Sequence, residues 1–263
     1  MKIPLYQVDA FTTKLFRGNP AAVMLLDSCL PDATLLAIAA ENNLSETAFL
    51  MQLDEINYLL RWFTPRTEVP LCGHATLASA AVVMERLEPQ RREVRFQTLS
   101  GILTVKRCGD GYAMDFPAPG VGQVSLPDGV REALGTEVLE VWRNASYLLV
   151  LLKDAATVRA LKPDFAGVAK LDPHGVIVTA AGEDGYDCVS RFFAPNYGVP
   201  EDPVTGSAHC VLTPFWAARL GRKGLRAYQA SARGGEILCT LQGDRVELAG
   251  SCVFYLEGAV EVS

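Results

Sequence analysis

Hydrophobic and polar positions alternate with period two in many short runs along this chain, and with the period of a helix in only a few. The alternation predicts strands at residues 5–11, 21–26, 47–53, 58–63, 92–97, 101–107 and 112–116. Among them, 32–41 reads as a helix: Pro31 precedes it, Asp32 can cap it, and Asn42-Asn43 can end it. Residues 75–87 read as a stronger helix, Ala-rich with apolar residues at helical spacing. The segment Pro117-Ala118-Pro119-Gly120-Val121-Gly122 has no periodicity and reads as a linker. Beyond it, strands are predicted at 147–152, 175–180, 186–193, 225–230, 236–241, 245–248 and 253–256. A helix is predicted at 207–220, closed by Gly221 and kinked at Pro214. The fold class is α+β, with more strand than helix.

The elements follow the same order on both sides of the linker, and sliding the chain on itself gives the reason. Arg61-Trp62-Phe63-Thr64-Pro65-Arg66-Thr67-Glu68-Val69-Pro70 set over Arg191-Phe192-Phe193-Ala194-Pro195-Asn196-Tyr197-Gly198-Val199-Pro200 is identical at five of ten places. Three residues inserted after this match, around Glu201-Asp202-Pro203, restore Gly73 to Gly206 and Ala75 to Ala208. Each copy then enters its Ala-rich helix. One unit of about 130 residues, present twice, is the physical reading. It predicts two domains, 1–117 and 123–263, packed about a pseudo-two-fold axis. The last strand, about 251–263, is able to return to the first.

Composition narrows the function. The 263 residues suit two domains of this size. A net charge of −6 without a dense Lys/Arg run excludes a nucleic-acid partner, which asks for a basic face. No apolar run approaches the ~20 residues of a membrane span. The N-terminus reads as a strand rather than a signal peptide, so a cytoplasmic protein is expected. The seven Cys form no C-x-x-C pair and the three His no H-x-x-x-H, so no metal site is expected and the thiols read as free. Gly120-Val121-Gly122 begins like a dinucleotide fingerprint, but Ser125 stands where the third Gly belongs.

Candidate chemistry gathers at the two duplicated helix starts. A helix N-terminus presents unpaired N–H groups and the positive end of its dipole. Gly73 and Gly206 allow a tight turn and close approach of a ligand. Two such ends facing each other across a cleft would trap a small carboxylate; the plainer reading is two well-capped helices. His74 stands at the first start. Asp202, Thr205, Ser207 and His209 surround the second. Asp202 also suits a turn, and His209 suits a plain helix-face residue. Glu46 alternates with Leu44, Ala48 and Leu50 on one predicted strand face. There a carboxylate would rise in pKa toward general acid/base work, unless the position is an exposed strand edge.

These residues carry a resemblance. Gly18-Asn19-Pro20-Ala21-Ala22-Val23, Asn43-Leu44-Ser45-Glu46-Thr47, Arg61-Trp62-Phe63-Thr64-Pro65, Cys72-Gly73-His74-Ala75-Thr76 and Glu201-Asp202-Pro203-Val204-Thr205-Gly206-Ser207-Ala208 resemble, in order, the phenazine-biosynthesis PhzF-like isomerase family. The resemblance implies a diaminopimelate-epimerase-like fold: two similar α+β domains, each a mixed, mostly antiparallel sheet around a central helix. It implies a cofactor-independent isomerase, a homodimer, and a small carboxylate as substrate, bound in the cleft between the domains. Glu46 would be the catalytic acid/base. His74 and Asp202 would orient the substrate and relay protons, and Asn19, Gly73, Gly206 and Ser207 would bind it.

The wider superfamily includes racemases with one thiol from each half. Cys72 is similar to the first member of such a pair, but the matching place, Thr205-Gly206-Ser207, has no thiol. A racemase or epimerase using Cys72 with another partner, and a non-catalytic small-acid binding protein, stay as alternatives. Cys72 also reads simply as a small residue behind the glycine.

Overall fold

The computed structural model describes residues 1–171 and 175–262, and the chain divides into two units. The first holds Met1–Asp115 and takes back the segment from Ala249; the second holds Phe116–Leu248. In order come β1 (Lys2–Ala10), β2 (Asn19–Leu25), α1 (Asp32–Asn42), β3 (Glu46–Gln52), β4 (Asn57–Phe63), β5 (Glu68–Val69), α2 (Gly73–Val82), β6 (Glu93–Thr98), β7 (Gly101–Cys108) and β8 (Gly111–Pro117). Then come β9 (Gly122–Val124), α3 (Val130–Leu134), β10 (Glu140–Arg143), β11 (Leu148–Leu151), α4 (Ala155–Ala160), α5 (Phe165–Leu171), β12 (Val176–Ala181) and β13 (Cys188–Ala194). The chain ends with β14 (Val199–Asp202), α6 (Gly206–Leu220), β15 (Gly224–Gln229), β16 (Gly235–Gln242), β17 (Arg245–Gly250) and β18 (Cys252–Glu261).

The strand ladders repeat. In the first unit β18 pairs antiparallel with β1, β1 antiparallel with β2, β2 parallel with β3, and β3 antiparallel with β4. β4 then pairs antiparallel with β5 and parallel with β6, which is antiparallel to β7. In the second unit β9, β10, β11, β12, β13, β14, β15 and β16 take the same places with the same directions. β18 thus fills in the first unit the place that β9 fills in the second. Each unit is a mixed, mostly antiparallel sheet with a long helix before its parallel return strand. Those helices are buried along most of their length, from His74 to Val82 in α2 and at ten positions of α6. A helix apolar all round belongs in a core, which accounts for the Ala-rich composition. No helix among the described residues is long and apolar enough to cross a membrane.

The ladders also relocate the insertion between the copies. Arg61 Nε and Nη2 each lie 2.7 Å from a Glu68 carboxylate oxygen. Arg191 holds Glu201 in the same two-pronged way, at 2.7 and 2.8 Å. Each guanidinium also sits 5.1 Å over the ring two residues on, Phe63 or Phe193. Glu201 therefore answers to Glu68 rather than to Leu71. The extra residues fall before β14, in the 3-10 turn Pro195–Tyr197. From there the copies run in step: Glu68-Val69-Pro70-Leu71-Cys72-Gly73-His74-Ala75 over Glu201-Asp202-Pro203-Val204-Thr205-Gly206-Ser207-Ala208. Cys72 faces Thr205, His74 faces Ser207, Thr76 faces His209, and Asp202 faces an apolar Val69.

Other expectations change on local grounds. Asp32 does not cap α1. Pro31 is the N-cap, and the Asp32 carboxylate instead lies 2.9 Å from Arg61 Nη1. Asn43 does end α1, in the left-handed region at φ 48° with its N–H bonded to the Ala39 carbonyl. α6 runs through Pro214 as one helix, because burial on both sides of the proline outweighs the lost hydrogen bond. Gly73 and Gly206 open their helices without a positive φ, so no tight turn requires them. β5, β9, β10, β14, α3, α4 and α5 are additional to the predicted elements. All seven cysteines are free thiols, four of them buried.

His209 is fully buried in the first turn of α6, its Nδ1 2.8 Å from the Thr205 carbonyl. Thr76 makes the equivalent bond to Cys72 through its hydroxyl. Burial pushes the His209 imidazole down from 6.5 to about 4, against the Thr205 carbonyl, which favours the charged ring. The unfolded chain therefore binds a proton here that the folded one refuses. Stability should fall as pH drops from 6.5 toward about 4, His209 contributing up to about 1.4 kcal/mol per pH unit. Urea unfolding at stepped pH checks this, with His209→Thr flattening that share of the slope. An unchanged slope in the variant would refute it.

Candidate active site

In the first unit the site is assembled by two strands and one helix. Gly18 turns the chain into β2 at φ +66°, where a Cβ would meet the Ala10 carbonyl oxygen at 2.1 Å. That turn places Asn19, buried at the start of β2, with its amide nitrogen 3.1 Å from His74 Nδ1. The amide donates, so the ring proton belongs on Nε2. His74 Nε2 lies 3.3 Å from Glu46 Oε2, across from the first residue of β3. The N–H is not aligned for a hydrogen bond, and the contact is electrostatic. Cys72, the N-cap of α2, brings Sγ to 3.5 Å from His74 Nδ1. Burial holds the imidazole neutral, down at about 3, with the Pro20 carbonyl pulling weakly the other way.

Glu46 is thus no exposed strand edge. β3 is flanked by β2 and β4, with Thr47 to Leu50 buried on both faces, and the Glu46 side chain is only 16% exposed. The resulting group, one atom each from Glu46, Cys72 and His74, fits within 4.8 Å. It joins an acid, a thiol and a neutral ring at the start of a helix whose N-cap side chain accepts no hydrogen bond from the first turn.

In the second unit the equivalent loop is tied down by hydroxyls and an amide. Thr205 Oγ1 donates to Asp202 Oδ2 at 2.5 Å. Gln229, fully buried at the end of β15, accepts from the Thr205 N–H at 2.9 Å. Its amide nitrogen donates to the Asp202 carbonyl and to Thr205 Oγ1, at 2.7 and 3.1 Å. Ser231 holds the Pro203 carbonyl at 2.8 Å. At the helix start, the Tyr147 hydroxyl donates to Ser207 Oγ at 2.9 Å, its ring edge-on to Phe192 at 5.4 Å. The α6 N-cap, like that of α2, makes no side-chain capping bond.

Asn19, Glu46, Cys72, Gly73 and His74 therefore come together within the first unit, and Asp202, Thr205, Gly206 and Ser207 within the second. Glu201 belongs to the scaffold through Arg191. Sequence reasoning missed Tyr147 and Gln229. Tyr147 had a signal, since it stands just before β11 as Asn19 stands at the head of β2, and each holds the second residue of its unit's long helix. Gln229 had none, being a polar residue in a strand pattern. His209 packs inside as its plainer reading expects. Its Nε2 is buried without a hydrogen-bond partner among the described residues.

The sequence profile described as phenazine biosynthesis-like protein, PhzC-PhzF, matches residues 8–258. An uncharacterized isomerase of Pseudomonas aeruginosa is 50% identical over 262 residues, covering 100% of both chains. The crystal structure of a PhzF-family phenazine biosynthesis protein from Enterococcus faecalis superposes with a TM-score of 0.95 at 42% identity, again covering 100% of each chain. A hydroxyproline epimerase from Agrobacterium vitis shares the fold alone, at 12% identity and a TM-score of 0.63 over 98% of this chain and 92% of that one. The chain belongs to the phenazine biosynthesis-like PhzC-PhzF family, and curated relatives 44–50% identical to it are named isomerases.

Proposed function

We propose that the protein is a cofactor-independent isomerase of a small carboxylate-bearing metabolite, with Glu46 as its acid/base. The observation that carries this reading is the approach of Glu46 to a neutral, buried His74. An imidazolium beside the carboxylate would hold its proton affinity down; a neutral ring does so far less and leaves it a useful base. Glu46 removes a proton from a carbon next to a carbonyl or unsaturated group and returns it elsewhere on the same face. His74, fixed by Asn19, orients the substrate through its Nε2 proton. With its pKa near 3 it serves as a positioned donor rather than as a proton store.

The first-turn N–H groups at Gly73 and Gly206 supply anion-binding donors, each at the positive end of a long helix. With the tight-turn role gone, the absence of a side chain there serves close approach to the backbone. Ser207 offers a hydroxyl steadied by Tyr147, and Asp202 a carboxylate steadied by Thr205. Positioned donors of this kind favour the charge that develops as the proton leaves.

The 3.5 Å contact of Cys72 Sγ with His74 Nδ1 supports a second reading, a racemase with Cys72 as a base. The corrected alignment argues against a symmetric version of it: the residue in step with Cys72 is Thr205, whose hydroxyl is already engaged with Asp202 and Gln229.

Two outcomes follow for small carboxylic acids incubated in deuterated water and read by mass spectrometry. Glu46→Gln should lower solvent deuterium entry into carbon by roughly 10²–10⁴-fold while keeping ligand binding. A near-normal rate in that variant would remove Glu46 from its role. Cys72→Ala should keep exchange within a few-fold of the wild-type rate, and complete loss would instead favour the thiol reading. Binding without any exchange by the wild-type protein would point to a small-acid sensor.

A further inference from the structure

We propose that Glu46, Cys72 and His74 form a zinc-binding site in the first unit. The three residues supply the ligand types that zinc prefers, a carboxylate oxygen, a thiolate and an imidazole nitrogen. Thiol and imidazole together select a borderline-soft ion over magnesium or calcium. The ligand atoms, one from each residue, lie within 4.8 Å of one another. Tetrahedral zinc at ordinary bond lengths separates a nitrogen and an oxygen ligand by about 3.4 Å and a sulfur and a nitrogen by about 3.6 Å. Glu46 lies 3.3 Å from His74 Nε2, and Cys72 Sγ lies 3.5 Å from the other ring nitrogen, Nδ1.

A single ion takes one ring nitrogen, and Nε2 is the better placed. It faces Glu46, while Nδ1 is held by Asn19. Cys72 Sγ lies nearer Nδ1, so it has to turn about its first torsion to share an ion with Nε2. The ring proton then passes to Nδ1, and a half-turn of the Asn19 amide lets its oxygen accept it, as outer partners of metal-bound imidazoles do. Charge also balances. The Cys72 thiol releases its proton to solvent, and thiolate and carboxylate together neutralise the dication. A buried site of zero net charge avoids the desolvation cost of an unpaired one. A fourth position stays open to water.

The consequence rests on the proposed function: an ion bound by Glu46 and His74 would occupy the carboxylate lone pair that moves the substrate proton and displace the Nε2 proton that orients the substrate, and zinc would be a reversible inhibitor. The binding itself is independent of that reading. The spacing gave no sign of the site, because Glu46 comes from a strand, and Cys72 and His74 at the helix start are only two residues apart.

The test uses the full chain with the exposed thiols removed, Cys29→Ser and Cys108→Ser, reduced and freed of metal. Titration calorimetry with zinc chloride near neutral pH should give one ion per chain with proton release. Cobalt(II) added as a stand-in should give a thiolate-to-cobalt charge-transfer band. Cys72→Ser should abolish that band and weaken zinc at least about 10-fold, and Asn19→Ala should weaken it by roughly 10–100-fold. Undiminished affinity in Cys72→Ser, or cobalt binding to the parent protein without the band, would overturn the site. Deuterium exchange is measured on zinc-free protein, so a failure of Glu46 as acid/base and a failure of the metal site are read separately.

Discussion

The two-pronged arginine–glutamate pair is the constraint on which both halves of this molecule depend. Arg61 with Glu68, and Arg191 with Glu201, fasten a short return strand to the strand before it, immediately ahead of the long buried helix. The pairs are largely out of water; the Arg191 and Glu201 side chains are 10% and 19% exposed. Planar, doubly bonded geometry compensates the desolvation that a looser ion pair would not. Removing one partner leaves a poorly solvated charge behind, typically about 3–5 kcal/mol of lost stability when such a pair is buried. Arg191 adds a bond to the Leu161 carbonyl at 2.7 Å, and Arg61 adds Asp32, so each guanidinium anchors more than one segment. The position of each helix start, and of whatever it presents, is inherited from that anchor.

Held in one frame, the copies can be compared atom for atom. Thr76 and His209 do the same job, each bonding the carbonyl of its N-cap residue, and this explains a buried histidine without invoking chemistry. His74 and Ser207 likewise share a position and a manner of support, from Asn19 and Tyr147. What differs is reactivity. The first unit carries a carboxylate, a thiol and a neutral imidazole; the second carries hydroxyls and one carboxylate bonded to a threonine. Asp202 replaces an apolar Val69, a substitution that a purely structural turn does not require.

The strong periodic segments were legible in the sequence because burial wrote them there. α2 and α6 are apolar all round, and β3, β4, β12 and β13 are flanked on both edges. Elements without that imprint were not legible. β9 is exposed at all three positions, and β10 has four residues. α3, α4 and α5 have five to seven residues, too short to hold themselves and dependent on packing such as that of Ala133, Val158 and Val168 in the second core. The insertion was misplaced because Val199-Pro200 repeats Val69-Pro70 by letter, while the arginine pairing shows which glutamate is in register. Site residues were found where motifs held them, but the approach of Glu46 to His74 joins a strand to a helix 28 positions away, a relation no local pattern contains.

That relation is also where the duplicated frame stops being symmetric in chemical terms. A two-base racemase needs comparable bases at equivalent positions, so that either face of a carbon meets a proton acceptor. Here the position in step with Cys72 is a threonine already bonded on both sides, and the one in step with His74 is a serine. Glu46 has no counterpart either: Val176 pairs with Phe193 as Thr47 pairs with Phe63, so the position in step with Glu46 is Gly175, which has no side chain. On the proposed reading, the carboxylate beside a neutral imidazole in the first unit takes and returns the proton from one side. The pattern of loss between the copies therefore supports the proposed isomerase, which moves a proton along one face of its substrate, over an enzyme that inverts a centre.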